Sequence, residues 1–390
     1  MIPPSLGRER KGCFGMKFSC EKAILLAAVT TAGRVAAPKS TIQALEGVLL
    51  EAGADGFLSI SGYNLETGVV ARVEAEVKEP GAIVMSARFL GETLRKMPDD
   101  MVSVSTGANW SVNISCGPTK LEDLNGSSDE DFPELPTVGA GSCLTLSQRD
   151  LRAMIGQTIF AVSDNESRPI HPGALFETEA DVLTVVAVDG YRLALRREKL
   201  TNQPAQEGPS FVVPGAALRE VEKICADSDD AVVITPGDRH VMFQMGATTL
   251  VARRLEGEFL NYRQTISRNN AIAVEADCSD LQLSIDRASL TINEKLKSPL
   301  RCKFEDGSLS ITSRTAIGFA YDRCPIAGDG KGLEIGFNNR FLMEAVKAAP
   351  ASRVRLELNT PTSPCLILPL EGEQDNFLYM VLPVRLRAGE

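Results

Sequence analysis

Two histidines, His171 and His240, are the only side chains here whose ordinary pKa lies near neutral pH. His171 lies in RPIHPG, between prolines that favour a rigid turn, and His240 opens an apolar strand in GDRHVMF. No serine lies in a GxSxG motif. We therefore predict a structural or surface-contact role for His171 and no catalytic residues. An enzymatic alternative rests only on His171 and the nearby Asp189-Gly190 turn.

The cysteines and a glycine-rich segment give no sign of metal or nucleotide chemistry. The nine cysteines are scattered singly. Their odd number and the absence of any CxxC pair argue against a disulfide framework and a zinc site. GDGKGLE at 328–334 lacks the spacing of a phosphate-binding loop and has Gly332 where a magnesium-binding hydroxyl would stand. We expect Pro325–Gly332 to be a surface loop, the cysteines to fill the core, and the chain to need no metal and no cofactor.

The sequence pattern of strands and helices that would position any functional residue occurs three times along the chain. GFLSISGYNLETGVVAR surrounds Leu58, DVLTVVAVDGYRLALRR surrounds Leu183 and GSLSITSRTAIGFAYDR surrounds Leu309. The leucines are spaced by 183 − 58 = 125 and 309 − 183 = 126 residues. Each copy reads as two alternating strands joined by a turn. A period of this length indicates a repeated domain rather than a solenoid.

Two further blocks repeat with the same period. One is a strand, an amphipathic helix and a strand, beginning at Ile83, Phe211 and Ile335, with apolar pairs at helical spacing (Leu90 and Leu94, Leu218 and Val221, Leu342 and Val346). The other is a helix that opens each repeat, at 20–33, 147–162 and 278–292. The pattern predicts an α+β fold with two helices and a sheet in each of three repeats.

Composition limits the partners. The net charge is 41 − 51 = −10, which argues against a broad basic face that holds DNA by neutralising phosphates. No apolar run approaches the length of a membrane span, so we expect no membrane contact. The scattered cysteines and the polar N-terminus, which does not resemble a secretory signal, predict a cytoplasmic location. The polar, acidic stretch Leu121–Ser142 reads as the linker after the first repeat, and a second break falls near Ser267–Asn270.

Specific strings within these repeats resemble one family. VAVDGYRLAL (186–195), LEGEFLNYRQTI (255–266), DFPELP (131–136), FNNRFLMEAV (337–346) and the tail YMVLPVRL (379–386) are similar, in order, to the bacterial DNA sliding clamp, the processivity subunit of the replicative polymerase. The resemblance runs from Met16 to Leu386 and is that of a divergent member. It implies clamp domains at 16–140, 141–267 and 268–390. The polar, Gly/Pro-rich residues 1–15 are expected to be a disordered N-terminal extension or a mis-assigned start, because a natural beginning follows at Met16.

The resemblance also implies an assembly. Two subunits would join head to tail as a homodimeric ring, with helices lining a central hole around double-stranded DNA, held topologically and without sequence preference. Such a ring needs only local positive charge, so the acidic composition is no obstacle. The implied DNA contacts are Lys39, which aligns with a DNA-contacting arginine of the family, Arg168 at the inner edge of the second repeat, and the helix cations Arg88, Arg95, Lys96, Arg149, Arg152, Arg219, Lys223, Arg287, Arg340 and Lys347.

The family binds short linear peptides of the replicative polymerase, the clamp loader and repair proteins in a groove between the second and third domains. An apolar pocket of this kind takes a few anchor side chains, and a polar rim fixes the peptide backbone. The residues implied here are Arg168, His171, Val188, Gly190, Tyr191, Arg192, Leu193, Leu260, Gln264, Thr265, Thr362, Pro364, Met380, Val381, Leu382, Pro383, Val384, Arg385 and Leu386. Leu260 and Gln264 depart from the family's usual proline and basic residue, which predicts an altered peptide preference.

The implied subunit contact also departs from the family. It would use Leu121 and Leu124, within the acidic segment KLEDLN, together with Leu290 and Thr291. The acidic residues and Thr291 replace an apolar pattern, so a weaker dimer is one expectation. This leaves an alternative function open: a clamp-like paralogue or mobile-element version that binds partner peptides but forms a weak ring or none.

Overall fold

The computed structural model describes residues 15–139, 141–163, 170–202, 208–266, 270–292, 298–370 and 376–386. The helices within these residues are α1 (Lys22–Gly33), α2 (Ala87–Lys96), α3 (Gln148–Gly156), α4 (Gly215–Ile224), α5 (Tyr262–Thr265), α6 (Cys278–Ser289) and α7 (Asn339–Ala348). Residues 1–14 and 267–269, where we predicted the extension and the second break, lie outside the described residues.

Strands make up most of the remainder. The first nine are β1 (Lys17–Glu21), β2 (Gly47–Ala52), β3 (Phe57–Tyr63), β4 (Thr67–Glu74), β5 (Glu76–Glu79), β6 (Gly81–Ser86), β7 (Met101–Thr106), β8 (Ser111–Cys116) and β9 (Thr119–Asn125). They are followed by β10 (Leu144–Ser147), β11 (Gly173–Glu179), β12 (Val182–Val188), β13 (Arg192–Lys199), β14 (Ser210–Pro214), β15 (Ala231–Pro236), β16 (His240–Met245), β17 (Thr248–Arg253), β18 (Ile272–Asp277), β19 (Leu300–Thr315), β20 (Gly318–Phe337), β21 (Arg353–Leu358), β22 (Cys365–Leu368) and β23 (Phe377–Val381).

The predicted strand–helix–strand blocks are confirmed in all three repeats. They are β6–α2–β7, β14–α4–β15 and the end of β20 followed by α7 and β21. The apolar helix positions predicted to face the core are buried, from Leu94 at 0% exposure to Leu342 at 4%. Ser86 and Asn338 cap α2 and α7 by accepting from the amides of Phe89 and Phe341.

The chain divides into two compact units. The first spans residues 1–140 and 233–253. It contains a sheet of order β5-β1-β7-β8-β9 and a run of paired strands β16-β17-β4-β3-β2-β6, with α1 packed against α2. Its core joins Phe18, Leu25, Leu58 and Leu94, each at most 1% exposed.

The second unit spans residues 141–232 and 254–390. Its sheet has ten strands in the order β14-β11-β12-β13-β23-β22-β21-β18-β20-β19, with the helix pairs α3–α4 and α6–α7. The tail strand β23 lies in the interior of this sheet, antiparallel to β13 on one side and to β22 on the other. Strands of the second and third repeats are therefore continuous through β13 and β23.

Two sequence expectations about loops are wrong. Pro325–Gly332 is part of β20, because Ile326 and Ala327 pair with β18 and Asp329 pairs with Asp306. Positive φ angles at Gly328, Lys331 and Gly332 let this strand bulge. The predicted linker Leu121–Ser142 begins inside β9, and its Phe132 is only 1% exposed, in a cluster with Leu45 and Tyr63.

Candidate functional site

The turn between β12 and β13 is built by Asp189. Its Oδ1 accepts from the amides of Tyr191 (2.8 Å) and Arg192 (3.1 Å), and Gly190 supplies the positive φ of 92° that the turn needs. The Asp189 Oδ2 atom accepts from Arg192 Nε at 2.9 Å. Asp189 therefore holds the hairpin turn through both of its carboxylate oxygens.

Arg192 lies beneath this turn, and its side chain is buried, with 7% of its surface exposed. Its guanidinium also pairs with Glu344 of α7. It lies over the rings of Phe341 (4.5 Å) and Phe160 (5.4 Å). Tyr191 is 63% exposed and stacks on Phe341 with ring centroids 6.0 Å apart.

Phe160, Phe341 and Glu344 were not among the predicted site residues. Phe341 and Glu344 occur in FNNRFLMEAV, which the sequence analysis used only as a mark of the family. Their spacing of three residues in a helix places them on one face. That spacing was the available signal, but Arg192, the partner of both, lies 152 positions from Glu344 in sequence.

The floor of the predicted groove is an apolar cluster drawn from both repeats. The structure brings the predicted residues Val188, Leu193, Met380 and Leu382 together in it. Leu193 lies opposite Met380 in the ladder between β13 and β23. The other members are Ile170, Leu175, Val186, Leu195, Val212, Tyr262, Leu366 and Leu368, with Leu255, Phe259, Ile266 and Leu378 packed against them.

The rim after the LEGEF string is anchored by Tyr262. Its hydroxyl donates to Glu177 Oε2 at 2.8 Å, and Arg263 pairs with the same carboxylate at 2.8 Å. Burial and the Glu177 carboxylate raise the pKa of Tyr262. Burial also raises the pKa of Glu177, but hydrogen bonds from Arg263 and Tyr262 outweigh it and lower that pKa overall. The anchor leaves Leu260 (42% exposed), Gln264 and Thr265 at the surface.

The tail after β23 is fixed by two backbone hydrogen bonds. The amide of Leu382 donates to the carbonyl of Tyr191, and the amide of Val384 donates to the carbonyl of Gly336, each at 2.8 Å. A Cβ atom at Gly336 would lie 2.4 Å from the Val384 carbonyl oxygen, so only glycine permits this approach. Val381 is buried, Pro383 and Leu386 are half-buried and Arg385 is exposed.

The remaining predicted groove residues that the structure describes lie outside the apolar cluster. Thr362 is exposed and Pro364 half-buried in the turn before β22. His171 is half-buried, and its carbonyl accepts from the Ser163 amide at 3.0 Å. Arg168 lies outside the described residues.

The predicted DNA-contacting cations are exposed wherever the structure describes them, but they differ in their partners. Four are paired: Arg88 with Glu92 (3.0 Å), Arg149 with Asp227 and Asp229 (2.8 and 2.7 Å), Lys223 with Glu220 (2.7 Å) and Arg287 with Asp322 (2.5 Å). Arg340 lies over the Phe341 ring at 5.3 Å. Within the described parts of the chain, no ion pair is found for Lys39, Arg95, Lys96, Arg152, Arg219 and Lys347.

The predicted subunit-contact residues lie beside sheet edges. Leu121 and Leu124 are half-buried on β9, the edge strand of the five-stranded sheet. Leu290 is 79% exposed after α6. Thr291 Oγ1 bonds Ser313 Oγ (2.6 Å) and its carbonyl accepts from Thr315 Oγ1 (2.8 Å), so it joins this end of α6 to edge strand β19.

Burial makes several of the described cysteine thiols poorly reactive. Burial raises the pKa of Cys225 to about 12 and those of Cys278 and Cys324 to about 11, so they stay protonated at neutral pH. In the described residues, no group of three or more histidine, cysteine or acidic side chains is arranged to hold a metal ion. No helix among those residues is long and apolar enough to cross a membrane.

Comparison with known proteins finds one family over all three repeats. Residues 16–136 match the N-terminal domain of the DNA polymerase III beta subunit, residues 145–261 its central domain and residues 263–385 its C-terminal domain. A beta sliding clamp of Staphylococcus aureus is 27% identical over 379 residues, covering 95% of this chain and 99% of the relative.

Solved structures give the same result. A structure described as a DNA polymerase III beta subunit of Eubacterium rectale is 32% identical with a TM-score of 0.89, and the match covers 95% of this chain and all of the other. A sliding clamp of Pseudomonas aeruginosa, solved bound to griselimycin, is 26% identical with a TM-score of 0.89 over the same shares.

Proposed function

The chain belongs to the DNA polymerase III beta subunit family, and from this premise we propose that it is a DNA sliding clamp. It encircles duplex DNA and tethers the replicative polymerase, the clamp loader and repair proteins through their short linear motifs. The observation that carries the peptide-binding part is the apolar cluster around Val188, Leu193, Met380 and Leu382, to which two repeats contribute. An apolar floor with a polar rim suits a few anchor side chains of an extended peptide.

The predicted groove residues belong to this proposal, with one change of role. The proposed peptide contacts include six exposed residues: Tyr191, Leu260, Gln264, Thr265, Thr362 and Arg385. Met380 and Leu382 suit a site with several partners because methionine repacks readily around different anchor side chains. Arg192, one of the implied groove residues, is buried, so we assign it a role beneath the turn in place of a direct contact with the peptide.

We propose that two copies close a ring head to tail, the β9 edge of one copy meeting the β19 edge of the other. Charge supports this pairing: Glu122 and Asp123 are exposed on β9, and Arg314 and Arg323 are exposed on the hairpin of β19 and β20. Leu290, Ile317, Phe319 and Tyr321 are large exposed apolar side chains in the same part of the second unit. The relatives are sliding clamps, which favours this function over a ring-deficient paralogue.

Within this proposal the DNA is held by topology. Its positive lining is provided by the helix cations that have no ion pair among the described residues, namely Arg95, Lys96, Arg152, Arg219 and Lys347. The protein acts without catalysis, in the bacterial cytoplasm, and its domains follow the predicted boundaries 16–140, 141–267 and 268–390.

Loading on circular DNA tests the function. With the clamp loader of the same organism and ATP, the protein is expected to remain bound to nicked circular duplex through gel filtration at high salt. Cutting the circle once should release it, because a ring slides off a free end whereas a tight binder does not. Equal retention on circular and linear DNA would contradict topological binding.

A further inference from the structure

Arg192 is a buried charge that the proposed groove does not use for direct peptide contact. We propose that Glu344 is a positioning residue for the peptide groove. Through its ion pair with Arg192, it fixes the Asp189–Arg192 turn of the second repeat against helix α7 of the third. The proposal rests on the proposed function, because its consequence is the affinity for a partner peptide.

Glu344 matters because it helps to neutralise the buried charge of Arg192. The Arg192 side chain is 7% exposed, so its positive charge needs partners in place of water. Asp189 supplies one carboxylate, but that carboxylate also accepts from two turn amides. Glu344 supplies the second carboxylate, and it does so from the other repeat.

Aromatic rings hold the guanidinium from two further directions. Phe341, one helical turn before Glu344, lies 4.5 Å from the guanidinium carbon, and Phe160 of the second repeat lies 5.4 Å from it. Both are within the range of a cation–π contact. Since Tyr191 stacks on the same Phe341 ring, the position of the turn depends on α7 through both neighbouring residues, Tyr191 and Arg192.

This arrangement reaches the groove through one backbone hydrogen bond. The Tyr191 carbonyl accepts from the Leu382 amide at 2.8 Å, and the next residues along β13 and β23 place Leu193 opposite Met380. Shifting the turn therefore shifts Leu382 and Met380, two floor residues. Glu344 thus affects peptide binding by keeping the floor assembled before the peptide arrives.

The test compares two glutamates of equal exposure. Glu344→Gln removes the negative charge from the Arg192–Glu344 ion pair. Glu275→Gln is the matched control, because both side chains are 37% exposed and Glu275 pairs with Arg353 at 3.0 Å elsewhere in the same unit. The probe is a fluorescein-labelled peptide from the clamp-binding segment of the same organism's replicative polymerase, followed by anisotropy. Amide hydrogen exchange at Leu382 is measured in parallel without peptide.

We expect Glu344→Gln to weaken peptide binding about tenfold, within the usual range of coupling between two positions, and to speed exchange at Leu382. Glu344→Asp, which keeps the charge, should recover most of the affinity, and Glu275→Gln should match wild type. Weaker binding with unchanged Leu382 exchange would mean direct peptide contact, and unchanged binding would remove any role; either result overturns the proposal. If wild type itself does not bind the peptide, the groove assignment fails. Exchange at Leu382 still reports whether the Arg192–Glu344 ion pair holds the turn in place.

Discussion

Arg149 and Arg152 lie one turn apart on α3 and differ in their partners. Arg149 is held by Asp227 and Asp229, whereas Arg152 has no ion pair among the described residues. A guanidinium that already faces two carboxylates must leave them before it neutralises a phosphate, and an unpaired one need not. Within the proposed function, Arg152 is therefore better suited than Arg149 to contact a DNA phosphate.

We predict that Arg152→Ala lowers the salt dependence of DNA affinity. The slope of log K against log salt, measured by anisotropy with a short duplex, should fall in magnitude by about 1, the change expected for one lost phosphate contact. Arg149→Ala is the control and should change the slope less. Equal slopes for Arg152→Ala and wild type would take Arg152 off the proposed lining.

Individual groove residues differ in whether their placement could be predicted from the sequence. Val188, Leu193 and Met380 were predicted from strings that keep the family pattern, and strand alternation fixes which face each presents. Arg192 kept the pattern too, yet its burial depends on Glu344 and Phe160, which no local pattern links to it. Long-range ion pairs are set by tertiary packing, so sequence spacing could not reveal this one.

At the scale of elements, α5 is a helix of four residues that cannot be stable by itself. Its anchor is the hydrogen bond from Tyr262 to Glu177 of β11, with Arg263 on the same carboxylate. Tyr262 also lies in the apolar cluster beneath the groove. The rim residues Gln264 and Thr265 therefore depend on one buried tyrosine.

We predict that Tyr262→Phe lowers the free energy of local opening at α5 by about 1.5–3 kcal/mol, as for a hydrogen bond to a charged group. Amide hydrogen exchange at Gln264 measures it, and Tyr321→Phe, at a 58% exposed tyrosine, is the control.

The effect of this substitution should depend on pH. The pKa of Glu177 is lowered in the folded protein, so its stabilisation is fully present above the unfolded value of about 4.3 and is lost as pH falls through the lower folded value. The difference between Tyr262→Phe and wild type should shrink in that acidic range, with exchange rates compared at equal pH. A constant difference would show that the carboxylate charge is not involved.

Elements were predicted well where a block was both periodic and bounded. The helices with Leu90 and Leu218 and the strands anchored by Leu58 and Leu183 lie where periodicity places them. Pro325–Gly332 was misjudged because glycine and aspartate are typical of loops, while here glycines let a strand bulge between two partners. Strand pairing of this kind is supplied by neighbours that the local sequence does not contain.

At the scale of the whole molecule, three sequence repeats fold into two compact units. The strands β16 and β17 belong to the second repeat in sequence, but β17 pairs with β4 within the first unit, Leu250 lying opposite Val69. A period of 125 or 126 residues counts repeats, but it carries no information on which edge strands meet. The same limit applies to contacts between copies of the chain.

Ring closure is the prediction that belongs to this scale. We expect light scattering to give a mass near twice the 41.9 kDa chain. Leu290→Asp should move the equilibrium towards the monomer, because it puts a charge on a 79% exposed apolar side chain beside the β19 edge. Leu260→Asp, at a 42% exposed leucine of the groove rim, is the matched control and should leave the mass unchanged. High salt should weaken the dimer if Glu122 and Asp123 meet Arg314 and Arg323 across it. A wild-type monomer at every concentration would refute the ring, whereas a dimer indifferent to Leu290→Asp would place the contact elsewhere.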